Sequence, residues 1–140
     1  NILISENFNT AKLLINNKEK KDEFKNILID IIEAKHKFYS PLSLYLIIEN
    51  NIEKDPKKII ILFDQVLDNN KIDTEDMNLI KLKKSLFLTV NGTEDQILNI
   101  LNPIINSNSI WKNQAINLLA NYFLDKKEYK KSEQYLKLLN

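Results

Sequence analysis

The sequence predicts an all-α fold of about four antiparallel helical hairpins, stacked as a short right-handed solenoid. Three observations predict this fold. The 140 residues include one Gly and three Pro, which leaves few sites for the tight turns of a β fold. Helix-start signals recur along the chain, and three of them are separated by 33 and 35 residues. Apolar residues recur at helical spacing between those signals.

The N-terminal half contains two clear helix starts. In Ser40-Pro41 and in Asp55-Pro56, a residue that favours the N-cap precedes Pro at the first helical position. The Ser or Asp side chain is expected to accept a hydrogen bond from a free backbone N–H of the first turn. These signals and the apolar spacing predict four helices in this half, at residues 2–16, 21–35, 41–51 and 56–68.

The C-terminal half contains three more starts. Asp73 is predicted to cap the fifth helix, and Thr93 with Gln96 three residues later forms a capping box for the sixth. Ser109 is predicted to open the seventh helix. Pro103 is expected to bend the sixth helix or end it early, because Pro lacks the backbone N–H that continues a helix. The four helices predicted here span residues 74–90, 94–105, 109–125 and 128–139.

The spacing of the helix starts indicates a repeat. Pro41, Thr74 and Ser109 are 33 and 35 residues apart, and a period near 34 residues is the tetratricopeptide spacing. Short connections predict that consecutive helices pack antiparallel as hairpins. The chain is therefore predicted to form one tetratricopeptide-like domain, residues 1–140, with hairpins at 2–35, 41–68, 74–105 and 109–139.

The last predicted hairpin follows the repeat pattern throughout. Ile116, Leu119 and Phe123 share one face of its first helix, since they lie at i, i+3 and i+7. Ala120 and Ser132 are small residues at the predicted points of closest approach between its two helices. The residues predicted to pack in this hairpin are Ile116, Leu119, Ala120, Phe123, Tyr129, Ser132, Leu136 and Leu139.

Charge and composition disfavour several classes of protein. The formal net charge is +1, and all 20 basic residues are Lys. The absence of Arg weakens nucleic-acid binding, because Arg supplies the bidentate contact to guanine and phosphate. The absence of Cys removes disulfides and thiolate metal sites. No run approaches the roughly 18 apolar residues of a membrane-spanning helix.

The residues that could carry chemistry are few. His36 is the one histidine, and its place near a helix end predicts a surface residue without a catalytic or metal role. We therefore predict no enzymatic activity, no catalytic or metal-binding residue and no cofactor. Trp111 is predicted either to pack against the preceding hairpin or to anchor a partner.

One polar pattern suggests a binding groove. The first helix of each hairpin lines the concave surface of such solenoids, and amide side chains there can pair with the backbone of an extended peptide. Solvent exposure in an Asn-rich chain is the alternative explanation of the same pattern. The six residues predicted to line this groove are Asn78, Lys81 and Ser85 on the fifth helix, and Gln114, Asn117 and Asn121 on the seventh.

Part of the chain also resembles a known family. The segments that carry the resemblance are Ser40 to Leu46, Ser109-Ile110-Trp111-Lys112, Ala115, Leu118-Leu119-Ala120, Lys126-Lys127-Glu128-Tyr129 and Ser132. Together they are similar to the YfgM-like domain of bacteria. The resemblance implies an inner-membrane protein with one amino-terminal span and a domain on the periplasmic side, ancillary to the Sec translocon. It implies translocon subunits or exported client proteins as partners. Because the chain lacks an initiator Met and begins within a predicted helix, any anchor is expected in an upstream segment.

The function predicted from these features is a non-catalytic scaffold for protein–protein interaction. It is expected to bind other proteins or extended peptides, without nucleic acid, and to meet the membrane only through the upstream anchor. The alternative is a cytosolic helical-repeat scaffold or assembly subunit, which an exposed apolar patch around Leu136 and Leu139 would favour. A helical enzyme or nucleic-acid binder would need converging titratable groups in a pocket or a continuous basic stripe.

Overall fold

Most helices of the structure begin and end within three residues of the positions predicted from the sequence. The structure is a computed structural model that describes residues 2–140, and Ile2 through its backbone alone. Residues 2–140 contain no β-strand, so the all-α prediction is confirmed. A single 3₁₀ turn, Lys18–Lys20, precedes α2. The described residues form eight α-helices: α1 Ile2–Leu14, α2 Lys21–Glu33, α3 Tyr39–Glu49, α4 Pro56–Leu67, α5 Thr74–Asn91, α6 Glu94–Ile105, α7 Lys112–Asp125 and α8 Tyr129–Leu136.

The helices group into two compact units, of which the first ends at Ile72 and the second begins at Asp73. In the first unit, α2 packs against α1, α3 and α4, and α1 also contacts α3. Burial of its apolar side chains is the main source of its stability. The best-buried side chains of this unit are Phe24, Leu28, Ile32, Leu44, Ile47, Phe63 and Val66.

The second unit is built from α5, α6, α7 and α8. Each helix packs against the next one along the chain, and α5 also packs against α7. The predicted apolar face of α7 is confirmed, because Ile116, Leu119, Ala120 and Phe123 are all buried. Facing residues from α5 and α6 complete the core of this unit, namely Ile80, Leu88, Ile97 and Leu101.

The inner face of α8 differs from the one predicted. Ser132 is buried as predicted, and its hydroxyl donates a hydrogen bond of 2.8 Å to the backbone carbonyl oxygen of Ala120. The packing predicted for three other residues is wrong: Tyr129 is 61% exposed, Leu136 44% and Leu139 39%. The inner stripe instead runs from Ser132 to Tyr135, whose ring stacks on Phe123 with centroids 5.7 Å apart. Leu139 lies beyond the end of α8, so helical spacing does not direct it inward.

Two of the predicted caps are confirmed in full. The Asp55 side chain accepts a hydrogen bond from the backbone N–H of Lys57, with Pro56 at the first helical position. Thr93 and Gln96 form both hydrogen bonds of the capping box. Asp73 is the N-cap residue of α5, but its side chain makes no capping hydrogen bond.

The predicted role of Ser40 as an N-cap is wrong. Helix α3 begins at Tyr39, because the His36 Nδ1 atom accepts hydrogen bonds from the backbone N–H groups of Phe38 and Tyr39. The Ser40 hydroxyl lies within the first turn and points back to α2. It donates to the Ile31 carbonyl oxygen at 2.7 Å and accepts from the His36 N–H at 2.8 Å.

Two further boundary predictions are wrong. Helix α7 begins at Lys112 and not at Ser109, because the Glu75 carboxylate takes the backbone N–H of Ile110 and the hydroxyl of Ser109. Pro103 does not end α6 early, and the helix continues to Ile105. The carbonyl group that Pro103 leaves without a helical partner belongs to Asn99, and water can hydrogen-bond it because Asn99 is exposed.

Candidate protein-binding site

A groove runs between α5 and α7 on the surface of the second unit. Both are the first helices of their predicted hairpins, and they contact each other directly. The groove, called the α5–α7 groove below, has a volume of about 300 Å³. The residues that line it are Leu86, Thr89, Val90, Leu118, Asn121, Tyr122, Asp125 and Lys126.

The α5 wall of this groove is apolar and faces solvent. The side chain of Leu86 is 63% exposed and that of Val90 is 85% exposed. They lie four residues apart, so they are neighbours on one face of the helix, about 6 Å along its axis. Leu118 and Tyr122 of α7 are half-buried opposite them. Adjacent exposed aliphatic side chains of this kind mark a surface where a partner can remove apolar area from water.

One end of the groove carries a fixed positive charge. The Lys126 ammonium donates hydrogen bonds to Glu94 Oε1 at 3.2 Å and to the Tyr122 hydroxyl at 3.4 Å. The hydrogen bond with Glu94, followed by the one with Tyr122, raises the pKa of Lys126 above its usual value. The ammonium also lies 5.0 Å from the centre of the Tyr122 ring, a cation–π contact. Lys126 therefore holds the Tyr122 ring in place beside the apolar wall.

No family model, curated protein or solved structure matches this chain. The resemblance to the YfgM-like domain therefore rests on the residues quoted above and stays an expectation. What the second unit can bind is argued below from its own geometry.

The six residues predicted to line a groove lie in different environments. Gln114, Asn117 and Asn121 are exposed on α7, and Asn121 lines the α5–α7 groove. The structure does not bring the three α5 residues to the same surface. Asn78 and Ser85 are buried, at 8% and 0% exposure, and the half-buried Lys81 lines a different cavity.

That second cavity, called the α5–α6 cleft below, lies where α5 begins and α6 ends. It has a volume of about 440 Å³. Asn78, which borders it, donates hydrogen bonds to Glu75 Oε1 at 2.8 Å and to the Ser109 hydroxyl at 3.1 Å. The residues lining the cleft are Thr74, Glu75, Asn78, Lys81, Pro103, Ile104, Ser107, Asn108 and Ser109.

Glu75 organises one wall of the α5–α6 cleft. Its carboxylate accepts hydrogen bonds from the backbone N–H of Ile110, the hydroxyl of Ser109 at 2.7 Å and the amide of Asn78. These bonds, with the Ile110 N–H contributing most, lower the pKa of Glu75 below its usual value. Trp111 is tied to the same residue, because its indole N–H donates to the Glu75 backbone carbonyl oxygen. Glu75 thus holds the turn before α7 against α5.

Sequence reasoning missed Leu86 and Val90, although one signal could have found them. The run Leu86-Phe87-Leu88-Thr89-Val90 is apolar around most of the helix circumference. A helix with apolar residues on several faces is either fully buried or faces a partner. The buried Leu88 accounts for one face, so Leu86 and Val90 were candidates for a binding face.

Three further observations concern metal ligands, membrane spans and the one histidine of the chain. Residues 2–140 contain no group of three or more His, Asp or Glu side chains arranged to hold a metal ion. Among the same residues, no helix has both the length and the apolar character needed to cross a bilayer. His36, predicted to be a surface residue, is half-buried and serves as the acceptor that starts α3.

Proposed function

We propose that this chain is a non-catalytic scaffold for protein–protein interaction, and that a partner protein inserts apolar side chains into the α5–α7 groove. The observation that carries the proposal is the exposure of Leu86 and Val90 beside Leu118 and Tyr122. Burying two aliphatic side chains contributes roughly 1.5–3 kcal/mol each when they are fully removed from water. Asn121 at the rim supplies both a donor and an acceptor to the partner's backbone.

The architecture that we propose is tetratricopeptide-like. Within each unit, several hydrogen bonds join residues about one repeat apart, as equivalent positions of stacked repeats would. Lys35 bonds Asp68 at a separation of 33 residues, Ser109 bonds Glu75 at 34, and Tyr135 bonds Asn102 at 33. This regularity supports a repeat of about 34 residues, and the right-handed array of four hairpins stays a prediction.

A photo-crosslinking experiment tests the groove. A benzoylphenylalanine residue replaces Asn121 in the groove or, as a control, the exposed Lys130 of α8. We expect a protein to be captured at position 121 and not at 130. The double change Leu86→Lys and Val90→Lys should abolish that capture, because it places charges where apolar side chains must bind. Leu13→Lys changes a leucine outside the groove that is as exposed as Val90, at 85%, and should leave capture intact. Equal capture at both crosslinker positions would rule the groove out.

The more specific proposal is a periplasmic helper of the Sec translocon, tethered to the inner membrane through an upstream segment. It is supported by the family resemblance alone. Mass spectrometry of the proteins captured at position 121 tests it. Translocon subunits or exported proteins would support the assignment, whereas cytosolic proteins would remove it and leave the scaffold function intact.

Exposed apolar side chains at the end of α8 and just beyond it favour a second candidate, an assembly subunit. Leu136, Leu138 and Leu139 are 44%, 47% and 39% exposed and lie close together in the chain. Sedimentation velocity at high micromolar concentration tests self-assembly through this patch. A dimer or larger species that the changes Leu136→Lys and Leu139→Lys convert to a monomer would support it, and a wild-type monomer would contradict it.

A further inference from the structure

We propose that the α5–α6 cleft binds a small organic monocarboxylate, with the ammonium group of Lys81 as its counter-charge. The site is separate from the α5–α7 groove, and its argument does not depend on the scaffold function. It rests on a cavity of suitable size, an unpaired cation in its wall and an apolar surface opposite.

Lys81 supplies the positive charge of the proposed site. Its side chain is half-buried and lines the cleft, yet among the described residues it makes no hydrogen bond or ion pair. In the same unit, Lys126 and Lys131 both pair with Glu94. Lys81 is the one lysine among the residues that line the cleft, so an anion that enters can form a charge-assisted hydrogen bond with its ammonium without displacing another partner.

The carboxylate of Glu75 limits how many negative charges a ligand in the cleft can carry. Its carboxylate also lines the cleft, and its oxygens already accept hydrogen bonds from Ser109, Asn78 and the Ile110 N–H. It is therefore a fixed negative charge that repels a second negative charge on a ligand. A phosphate monoester carries a charge of about −1.5 to −2 near neutral pH and fits poorly. A single carboxylate can contact the Lys81 ammonium while adding the least further negative charge beside Glu75.

The apolar lining of the cleft determines what group the ligand can carry beside its carboxylate. Pro103 and Ile104 form an apolar wall, and a volume of about 440 Å³ lies within the range of small-molecule sites, roughly 300–1,000 Å³. Thr74 and Asn108, both exposed, add a hydroxyl and an amide to the lining. The cleft thus suits a carboxylate attached to a short aliphatic or aromatic group.

Nuclear magnetic resonance titration of the ¹⁵N-labelled chain tests the site. The probe is phenylacetate, and phenylacetamide is a neutral molecule of the same shape. We expect phenylacetate to shift the amide signals of Lys81, Ile104 and Asn108 along saturable curves. Loss of one charge-assisted contact should weaken binding about tenfold or more, both for phenylacetamide and in the variant Lys81→Met.

Two matched variants separate this site from other effects. Lys130→Met removes an exposed lysine of α8 and should leave phenylacetate binding unchanged. Leu86→Lys alters the α5–α7 groove and should also leave it unchanged, so each site can fail on its own. The proposal is overturned if no saturable shift occurs, if shifts centre elsewhere, or if Lys81→Met binds as well as the wild type. The comparison with phenylacetamide uses the wild-type chain, so it decides the matter even if Lys81→Met is unstable.

Discussion

The indole N–H of Trp111 donates a hydrogen bond of 3.0 Å to the backbone carbonyl oxygen of Glu75. The two residues are 36 positions apart, and the bond fixes the turn before α7 to the first turn of α5. Trp111 was predicted either to pack against the preceding hairpin or to anchor a partner. The structure shows the packing role, because the polar atom of the indole is already used within the second unit.

Replacing the indole of Trp111 should lower the stability of the second unit. Trp111→Phe keeps a ring but removes the donor, and we expect a loss of about 1 kcal/mol in the free energy of unfolding. Tyr135→Phe is the control, because its hydroxyl binds only the half-buried side chain of Asn102 and should contribute less. Urea unfolding with an unchanged m-value would measure both. Equal losses of stability in the two variants would mean that the Trp111 hydrogen bond contributes no more than the hydrogen bond of Tyr135.

Two buried serines should respond in opposite ways to removal of their hydroxyls. Ser132 donates to the Ala120 carbonyl oxygen, so Ser132→Ala should lose roughly 0.5–1.5 kcal/mol of stability. The Ser85 hydroxyl is fully buried and has no hydrogen-bond partner in the described residues. Ser85→Ala should therefore be neutral or stabilising, since Ala also favours the helix. Thermal or urea unfolding compares the pair, and a larger loss for Ser85→Ala would contradict the assignment.

Removing the side chain of Lys127 should stabilise the protein. Lys127 follows the end of α7 with a φ of 62°, in the left-handed region, and the Glu128 N–H closes the helix on the Phe123 carbonyl oxygen at 2.8 Å. Gly adopts this conformation without the steric cost that a side chain brings. Removing a steric cost of roughly 1–2 kcal/mol outweighs the extra conformational entropy that Gly gives the unfolded chain, so Lys127→Gly should raise the free energy of unfolding by about 0.5–1 kcal/mol. Asn51→Gly, at a φ of 52°, should gain less, because Asn tolerates the left-handed region. A destabilised Lys127→Gly would show that the exposed lysine makes an additional contact.

Stability should depend on the protonation of His36. Burial, together with nearby positive charges that include Lys37 and Lys71, lowers the pKa of His36 below 6.5. Its Nδ1 atom must stay unprotonated to accept the N–H groups of Phe38 and Tyr39. The unfolded chain therefore binds the proton more readily. The contribution of His36 is complete above pH 6.5 and is lost as the pH falls through the lower pKa of the folded state.

The variant His36→Asn tests this dependence, because Asn can offer an acceptor to the same N–H groups and does not titrate. We expect the stability of the wild type to decrease relative to this variant as the pH falls below about 6.5. Chemical unfolding at several pH values gives the difference. Parallel curves for the two proteins would contradict the role assigned to Nδ1.

Local signals predicted most of the helices, and their failures share a cause. The capping box of Thr93 and Gln96 and the cap at Asp55 form as predicted, because each needs only residues of its own turn. Ser40 and Ser109 carried the same local signal. Their hydroxyls are taken by groups on other helices, Ile31 of α2 and Glu75 of α5, which a pattern within one helical turn does not reveal.

The candidate site was predictable only in part. The exposed amide face of α7, with Asn117 and Asn121, follows from helical spacing alone. The facing surface of α5 does not, because that helix has apolar residues on several faces. Only the packing of α6 and α7 against α5 shows that Ser85 is turned inward while Leu86 remains exposed.

The sequence by itself determined the all-α class, the approximate helix bounds and the inner face of α7, since helical periodicity and capping act within a few residues. The tertiary structure decided which of two competing faces each helix buries, as in α8, where Tyr135 and not Leu136 packs inward. It also decided that Asn78 and Lys81 border a cleft separate from the groove at Asn121. The physical reason is that burial depends on the neighbours that a folded chain brings together, and those neighbours belong to other helices, 12 to 36 residues away in the sequence.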